Sequence, residues 1–497
     1  MSTSRPSTPP RRHPARGEER FKRLATACEW AESYYPGNYH PVDVGDVLRD
    51  GQYKIVRKLS YGSFSTVWLA YDVQNNKYVA LKIAVASVSE THATLPELAM
   101  YEHLAAQVAH DAQQTAMLNQ SLTKKLGTFD LQGPNGTHTC ILFEPMGPTV
   151  NRMVEALPQF KPRRMPLALR LRMIVRYPPW MAKQILRGLL EALQFLHAHG
   201  IAHGDVQPGN MLFSLRAGEL DGVGDKDLWQ PADASLGPGL SYVSPPLERL
   251  DGKIDCWAPK HLYIPQPLAE FADREPGFRI KLADLGGAYL LARPPAKIIT
   301  PTGLSAPELL FTTSQDGSRD TSQDGPVPDG RALDIWSVGC LIFELVTGRP
   351  LFCAPWAGDQ DGVDDDLLLQ WASILGPLPD ELFARWPRAS RYFHVDETTG
   401  CRTVYNSIIS GAPTTDDAPQ DQPPPQPSME DMFNQAAPDV SSAAEARQIK
   451  QLVRRILHYD PVQRPTVADI LQDAWFAQDV WEGEDKGGRS TQGTHDA

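Results

Sequence analysis

The chain has 497 residues, of which 41% are hydrophobic, so it can bury a sizeable core and exceeds one small domain. Its formal net charge of -12 argues against non-specific binding of nucleic acid. No apolar run is long enough for a transmembrane helix, and the first residues lack the apolar stretch of a secretory signal. The cysteines form no CxxC pair, which fits free thiols, so we expect a cytoplasmic or nuclear protein without membrane contact.

The beginning of the chain is predicted to be rich in β-strands. Residues 1–33 contain many Arg and Pro and are expected to be a disordered basic arm. Short segments rich in β-branched, aromatic and aliphatic residues follow, separated by turn formers. A helix is predicted from Thr94 to about Ala106, and a buried strand at 140–143 leads into the residues Glu-Pro-Met-Gly at 144–147. The first three predicted strands are Tyr53–Leu59, Ser65–Asp72 and Lys77–Ile83.

The later part of the chain shows helical periodicity. Apolar side chains recur at 3.6-residue spacing in Trp180–His199, and Asp334–Thr347 is a second apolar helix. A strand-rich segment followed by a larger helical one predicts an α+β protein with two lobes of unequal size. We place the small lobe at 34–147, the large lobe at 148–477 and a disordered tail at 478–497.

Three insertions interrupt the regular segments of the large lobe. Residues 215–277 are rich in Gly, Pro and Asp, and residues 312–331 contain the pentapeptide TSQDG twice, which indicates a local duplication in an exposed loop. Residues 412–440 are rich in Pro, Gln and Asp, and we expect them to be disordered.

A hairpin of small residues precedes a lysine with apolar neighbours. Residues 59–67 read L-S-Y-G-S-F-S-T-V between two predicted strands, and the third strand carries Val-Ala-Leu before Lys82. Most lysines on strands are solvated, but these neighbours predict that Lys82 points inward. Glu97 on the next helix is its natural ion-pair partner, and Glu102 is the second choice.

A polar loop follows the first long apolar helix. Residues 203–210 read H-G-D-V-Q-P-G-N and place a carboxylate, Asp205, and an amide, Asn210, before a β pattern. Phosphoryl transfer asks little covalent chemistry of a protein: it needs a carboxylate to orient a hydroxyl and groups that hold a metal ion. The loop supplies both kinds of side chain.

Further motifs complete the series along the chain. Residues 281–286 read K-L-A-D-L-G, so a predicted strand ends at Asp284. Residues 305–308 read S-A-P-E, 334–339 read D-I-W-S-V-G, and 460–465 read D-P-V-Q-R-P. Glu308 and Arg464 are either two surface charges or a buried ion pair, and loss of one member of a buried pair is costly.

These motifs resemble the eukaryotic protein kinases, and more specifically the SR-protein kinases and their fungal relatives. The most specific stretch is Y-P-G-N-Y-H-P-V-D-V-G-D at 35–46, followed by Y-G-S-F-S-T-V-W at 61–68. The D-L-G motif at 284–286 and the insertion at 215–277 are also typical of that family. The resemblance covers about residues 34–477 and implies a two-lobed protein-kinase fold.

The resemblance also implies an activity and a set of site residues. It predicts a non-specific serine/threonine protein kinase that uses ATP and Mg²⁺, acts as a monomer on protein substrates that include Arg/Ser-rich segments, and binds no nucleic acid directly. The implied catalytic residues are Asp205, Lys82 and Glu97, and the metal ligands are Asn210 and Asp284. The implied ATP-binding residues are Leu59, Ser60, Gly62, Ser65, Val67, Ala80, Lys82, Glu144 and Met146.

Several residues depart from the family pattern. Gly204 replaces the Arg of His-Arg-Asp, so phosphorylation of the activation segment is not expected to be required for activity. Gln207 replaces the usual Lys and removes a positive charge near the γ-phosphate. Ser305 occupies the position of an Arg that shapes the acceptor-peptide pocket, and Pro301, flanked by Thr300 and Thr302, occupies that of a Thr.

Two other functions compete with this one. A catalytically weak pseudokinase scaffold is favoured by Gln207 and by the loss of two glycines from the nucleotide loop. A small-molecule phosphotransferase is suggested by H-G-D-x-x-x-x-N, but such enzymes lack the Ala-Pro-Glu and Asp-x-Trp-Ser-x-Gly motifs kept here.

An acidic run precedes the apolar helix pattern Leu367–Leu375. Residues 359–366 hold five carboxylates, including Asp364, Asp365 and Asp366. Such a run is either a solvated loop or, as the resemblance implies, a groove that docks Arg-rich substrates through charge-assisted hydrogen bonds.

Overall fold

A six-stranded antiparallel sheet dominates the first part of the chain in this computed structural model. The strand order is β1-β2-β3-β4-β6-β5, and every neighbouring pair is antiparallel. The strands are β1 Val47–Leu48, β2 Tyr53–Gly62, β3 Ser65–Asp72, β4 Lys77–Ala84, β5 Lys125–Gly133 and β6 Gly136–Phe143. The three strands predicted around residues 53–83 are therefore present, with β2 three residues and β4 one residue longer than expected.

One face of the sheet is covered by the insertion at 215–277. Trp68 and Leu81 lie in a buried cluster that also contains Val243 and Tyr263 of the insertion. The rings of Trp68 and Tyr263 meet edge to face at 5.7 Å. The backbone of β2 is also held by the insertion, because Gln230 accepts a hydrogen bond from the Lys58 N–H at 2.9 Å. The insertion is therefore part of the sheet's core.

The described part of the predicted N-terminal arm packs beside this insertion. Phe21 is 4% exposed and forms an isolated β-bridge with Arg249. Arg20 pairs with Glu32 at 2.8 Å, and its guanidinium also lies 3.4 Å from Asp255. Residues 18–24 and 28–33, which the sequence assigned to a disordered arm, thus make defined contacts.

Helices and short ladders follow the sheet strands. Helix α2, Pro96–Val108, begins two residues later than predicted. The helices are α1 Ala86–Thr91, α2 Pro96–Val108, α3 Ala112–Ser121, α4 Val150–Ala156, α5 Pro179–Ala198 and α6 Asp225–Leu228. The short antiparallel pairs are β7 Ile201–Ala202 with β12 Tyr289–Leu290, β8 Met211–Phe213 with β11 Ile280–Leu282, and β9 Ser235–Gly237 with β10 Leu240–Ser241.

The later part of the chain is mainly helical. Helix α8, Gly330–Thr347, packs against α12, Ala443–Ile456, so closely that a Cβ on Gly339 would lie 2.6 Å from Ile456. Gly348 ends helix α8 with φ 74°, a left-handed conformation that glycine adopts readily. The elements are α7 Pro307–Leu310, α8 Gly330–Thr347, α9 Gln360–Ile374, α10 Asp380–Ala384, α11 Met429–Ala436, α12 Ala443–Ile456, α13 Val467–Leu471, α14 Ala474–Ala477, and the strand pair β13 Phe393–Val395 and β14 Arg402–Val404.

Contacts between Cα atoms divide the chain into two compact units. Among the residues that the structure describes, the first unit comprises those within 1–163, 195–203 and 208–290, and the second comprises those within 164–194, 204–207 and 291–477. The first unit thus extends beyond the small lobe placed at 34–147 from the sequence.

The structure describes residues 18–24, 28–91, 95–157, 175–230, 235–237, 240–310, 328–353, 359–395, 402–404, 427–436, 440 and 442–477. The disorder predicted for residues 1–17, 412–426 and 478–497, and the repeated pentapeptide, lie outside these residues. The disorder predicted up to residue 440 is wrong for α11, Met429–Ala436, which buries Met429, Phe433 and Ala436. Within the described ranges, no helix combines the length and the apolar character needed to cross a membrane. The cysteines in these ranges, Cys28, Cys140, Cys256, Cys340 and Cys353, are free thiols.

Candidate active site

Lys82 is the centre of an ion-pair network in the first unit. It lies on β4, in the middle of the sheet between β3 and β6. Its Nζ is 2.6 Å from Oε2 of Glu97 and 3.0 Å from Oδ1 of Asp284. Glu102 instead lies near Lys125, at 3.9 Å. Of the two partners considered for Lys82, the structure places Glu97 in contact.

Local geometry fixes both carboxylates of this network. Glu97 is in the first turn of α2, which begins with Pro96, and the start of a helix favours both a proline and an acidic side chain. Asp284 follows β11 with φ 61° and caps a turn of 3₁₀-helix by accepting the N–H of Gly286. Few residues other than glycine adopt that conformation, so the turn holds the carboxylate in a strained position.

Electrostatics keep Lys82 and Asp284 charged at neutral pH, whereas burial raises the pKa of Glu97. Burial lowers the pKa of Lys82, but attraction to Glu97 and Asp284 outweighs burial and raises it. Attraction to Lys82 lowers the pKa of Asp284 below its usual value and outweighs the opposing effect of partial desolvation. The network therefore consists of one ammonium and an ionised Asp284, with a side chain that is 48% exposed and open to a ligand.

Asn210 is held close to Asp284 by backbone contacts. The Ala283 N–H donates to the Asn210 carbonyl at 2.8 Å, and the buried His203 ring lies 3.2 Å from the Ala283 carbonyl. Oxygen donors of this kind suit Mg²⁺, which binds through one or two carboxylates and keeps other ligands from water and phosphates. Within the described residues no group of three His, Cys, Asp or Glu side chains could hold a metal. The Asp284 carboxylate and the Asn210 amide oxygen fit Mg²⁺ that takes its other ligands from water and phosphate.

The predicted nucleotide loop is a tight hairpin. Strands β2 and β3 pair up to Gly62 and Ser65, with Ser63 and Phe64 at the turn. The Tyr39 hydroxyl donates to the Gly62 carbonyl at 2.5 Å. Among the other predicted ATP-binding residues, Leu59, Ala80 and Met146 are buried, and Ser60 and Val67 are half-buried.

Glu144 makes contacts that the sequence did not predict. Its Oε1 lies 2.5 Å from the Lys281 ammonium and accepts the Lys124 N–H at 2.7 Å. The carboxylate therefore fastens the end of β6 to β11 through Oε1.

Asp205 lies in the loop Gly204–Gln207, which belongs to the second unit. The Gln207 side chain donates a hydrogen bond from Nε2 to Asp205 Oδ1 at 2.7 Å. The residue that replaces the family's lysine therefore engages one oxygen of the predicted base. This contact was not anticipated from the sequence.

Two residues outside the predicted site hold the backbone of this loop. Asp334 accepts the Gly204 N–H at 2.9 Å, and the Thr300 hydroxyl donates to the Gly204 carbonyl at 2.7 Å. Gly204 has φ 75°, a conformation that favours glycine over the usual arginine. Asp334 is the first residue of the D-I-W-S-V-G motif, which marks it in the sequence, although its contact with this loop was not predicted. Thr300 is marked only by its position beside Pro301.

The structure brings Glu308 and Arg464 together in the second unit. The guanidinium makes two parallel contacts with the carboxylate, at 2.6 and 2.8 Å, and its side chain is 1% exposed. It also donates to the carbonyls of His458 and Ala332 and lies over the Trp336 ring. Because of these contacts, the Glu308–Arg464 pair is part of the buried interior of the second unit.

The acidic run lies inside a helix and is partly neutralised. Helix α9 begins at Gln360, capped by Asp359, so the predicted loop is absent. Asp365 is 2% exposed and accepts hydrogen bonds from Arg388, Trp386 and Tyr392. Asp365 therefore cannot dock a peptide, whereas Asp364 and Asp366 are half-buried and bonded to glutamines of their own helix.

Comparison with known proteins identifies the family of these motifs. The family model described as "Protein kinase domain" matches residues 53–221 and 271–476. The unmatched residues 222–270 fall within the insertion at 215–277.

Two individual proteins show which protein kinases this chain is similar to. The chain is 30% identical over 370 residues to the serine/threonine-protein kinase SRPK of Physarum polycephalum, covering 74% of this chain and 76% of the relative. It is 33% identical over 196 residues to the serine/threonine-protein kinase SKY1 of Saccharomyces cerevisiae, covering 39% of this chain and 24% of that protein.

A crystal structure of a kinase domain matches with a TM-score of 0.52 and 19% identity, covering 88% of this chain and 98% of that chain. This match shows the fold alone and confirms the expected α+β, two-lobed fold.

Proposed function

Because the chain belongs to the protein kinase family and resembles its SR-protein kinases, we propose that it transfers the γ-phosphoryl group of ATP to Ser and Thr residues of protein substrates. The observation that carries this proposal is the network in which Lys82 contacts both Glu97 and Asp284. Protein kinases need such a Lys–Glu pair and an aspartate for the metal in place at once.

The first unit would bind the nucleotide. The Lys82 ammonium would hold the α- and β-phosphates, with Glu97 fixing its direction. The hairpin that ends at Gly62 would cover the phosphates, and the buried Ala80 and Met146 would contact the base. These residues position the phosphates, which is most of what catalysis of phosphoryl transfer requires.

Mg²⁺ would be held by Asp284 and Asn210. When bound, the ion would neutralise charge on the phosphate oxygens. Asp284 is suited to this role because its carboxylate is ionised and is 48% exposed.

The loop of the second unit would act on the acceptor. Asp205 would orient the substrate hydroxyl and accept its proton. The hydrogen bond from Gln207 to Oδ1 would help to orient this carboxylate.

The test is transfer of radiolabelled phosphate from ATP to an arrayed peptide library. Asp205→Asn keeps the size of the side chain but removes the base, so turnover should fall by about two to four orders of magnitude. An unchanged melting temperature is the control for folding. Near-normal transfer by this variant would contradict the assignment of Asp205.

A non-catalytic scaffold is the second candidate, and the bond from Gln207 to Asp205 favours it. A neutral amide cannot offset γ-phosphate charge as an ammonium does. Gln207→Lys should therefore raise turnover if the protein is a slow kinase. A wild-type protein and a Gln207→Lys variant that both lack transfer, while still binding ATP, would support the scaffold.

We also propose that Asp364 and Asp366 contribute to docking of Arg-rich substrates. These side chains remain partly exposed, whereas Asp365 is buried and already paired with Arg388. Replacing Asp364 and Asp366 by Asn should raise KM for an Arg-rich peptide but not for a neutral peptide. Equal responses of the two peptides would reject docking at this helix.

A further inference from the structure

Helix α12 carries a row of cations on one face in the second unit. Arg447, Lys450 and Arg454 are spaced three and four residues apart, so their side chains lie along the same side of the helix. Arg455 adds a fourth cation, and residues 446–457 contain no Asp or Glu. Like charges at such spacing destabilise a helix, so this row conflicts with local stability unless something compensates it.

The row lines an open groove of about 500 Å³. A single carboxylate contributes to the lining. The lining residues are Glu430, Arg447, Lys450, Gln451, Arg454 and Arg455. The groove therefore presents four positive charges and one negative charge to solvent.

Two of the cations are fixed by acidic partners. Arg454 grips Glu430 through Nε at 2.6 Å and Nη2 at 2.5 Å, and also donates to the Leu375 carbonyl. Arg455 pairs with Asp473 at 2.7 Å. These contacts hold the guanidinium groups in place. Binding of a ligand would therefore cost less side-chain conformational entropy.

The other two cations are not neutralised. Lys450 donates to the neutral Asn434 side chain at 3.0 Å and lies 5.6 Å from the centre of the Phe433 ring. Arg447 is exposed and has no ion pair within the described residues. The groove thus has a positive excess at Arg447 and Lys450, next to two cations that are already positioned.

We infer that this groove binds an acidic peptide segment of a partner protein, bearing carboxylates or phosphorylated side chains. Helix residues rise 1.5 Å each, so the row from Arg447 to Arg454 spans about 10 Å, the length of roughly three residues of extended peptide. Arginine forks and a lysine ammonium match the oxygen atoms of such side chains. Binding of an acidic peptide to this groove is separate from phosphoryl transfer, so it is measured in the absence of ATP.

The experiment measures fluorescence anisotropy of labelled peptides on the full chain. One peptide carries three phosphoserines, a second carries aspartate at those positions and a third carries serine. The phosphopeptide should bind most tightly, because each phosphate carries nearly two charges, and the serine peptide should not bind. Arg447→Gln with Lys450→Gln should weaken phosphopeptide binding by about tenfold or more and reduce its salt dependence.

A matched control removes one arginine and one lysine elsewhere. Arg331 and Lys22 have exposed side chains at 55% and 61%, and Arg331→Gln with Lys22→Gln should leave binding unchanged. Equal loss in both double variants would overturn the proposal, because binding would then reflect net charge. Absence of binding by both acidic peptides at low salt would overturn it, as would Arg447-dependent binding to phosphatidylserine vesicles without peptide binding. An unchanged melting temperature shows that the variants are folded.

Discussion

Two lysines in the same sheet form ion pairs that differ in their exposure to solvent. Lys58 on β2 and Lys82 on β4 both contact a glutamate. The side chains of Lys58 and Glu29 are 0% and 2% exposed, whereas Asp284, the second partner of Lys82, is 48% exposed. The Lys58 pair is sealed from water, and the Lys82 network is open to a ligand.

The surroundings of Lys58 explain its burial. Its ammonium contacts Glu29 and lies over the rings of Tyr61 and Trp68, at 5.4 and 5.2 Å. The Tyr34 hydroxyl donates to the same glutamate oxygen at 2.6 Å. Burial lowers the pKa of Lys58, whereas the pKa of Lys82 is raised by its two carboxylates. The Lys58 pair joins the N-terminal segment, defined as residues 18–24 and 28–46, to the sheet. The Lys82 network instead keeps the charged Asp284 side chain exposed.

The comparison predicts that removing Lys82 abolishes transfer. Lys82→Met should lower turnover by at least about two orders of magnitude, because a donor to the phosphates is lost. Lys58→Met, paired with Glu29→Leu to avoid an orphan charge, should retain most of the turnover per folded molecule. Phosphate transfer to a peptide at saturating ATP measures both variants. Equal losses would show that the two lysines do not differ in role.

The second prediction concerns stability and the sealed pair. Glu29→Leu leaves the Lys58 ammonium buried without its partner, and breaking a buried pair costs about 3–5 kcal/mol. The double variant Glu29→Leu with Lys58→Met should recover most of that loss, since an apolar pair can replace a buried ion pair. Thermal and urea unfolding measure both effects.

A second ion pair of the N-terminal segment supplies the control for this prediction. Lys22 and Glu248 join this segment to the insertion, but both side chains are more than half exposed. Lys22→Met should leave the melting temperature unchanged, because exposed pairs contribute little. If Glu29→Leu behaves like Lys22→Met, the Lys58 pair is not sealed in solution.

The sequence predicted the pair of Lys82 with Glu97, but it predicted neither the contact of Lys82 with Asp284 nor the sealed pair. Lys82 and Asp284 stand in motifs that resemble those of protein kinases, and Glu97 lies on the helix predicted after the Lys82 strand. Glu29 and Lys58 stand in no motif, and their partnership depends on how an arm rich in Arg and Pro folds back. Local composition cannot report such a contact, so the arm was predicted to be disordered.

The insertion and the acidic run illustrate the same limit. Tyr263 was assigned to a Gly- and Pro-rich insertion, yet it packs on Trp68, nearly two hundred residues earlier. The local sequence indicated a solvated acidic run at Asp365. Its partner Arg388 lies in a later segment, so the local pattern could not show that the two side chains pair. A signal for the helix was present, since Asp359 caps its first turn and Asp361 follows there.

The smallest predicted effect concerns the connection between the sealed part and the open site. The Tyr39 hydroxyl donates to the Gly62 carbonyl in the nucleotide hairpin, and burial raises the pKa of Tyr39 to about 12, so the hydroxyl stays protonated. Tyr39→Phe removes one hydrogen bond, worth about 0.5–1.5 kcal/mol, from a loop that we propose contacts ATP. KM for ATP should rise about two- to tenfold with kcat nearly unchanged.

Tyr71→Phe is the matched control for this change. The Tyr71 hydroxyl bonds to Asn76 at the turn between β3 and β4, so its loss should leave KM for ATP unaltered. A rise in KM for Tyr39→Phe alone would show that the N-terminal segment positions the nucleotide hairpin as well as stabilising the sheet. If neither variant changes KM, the segment acts only on stability, and the sealed and open parts of the sheet are energetically separate.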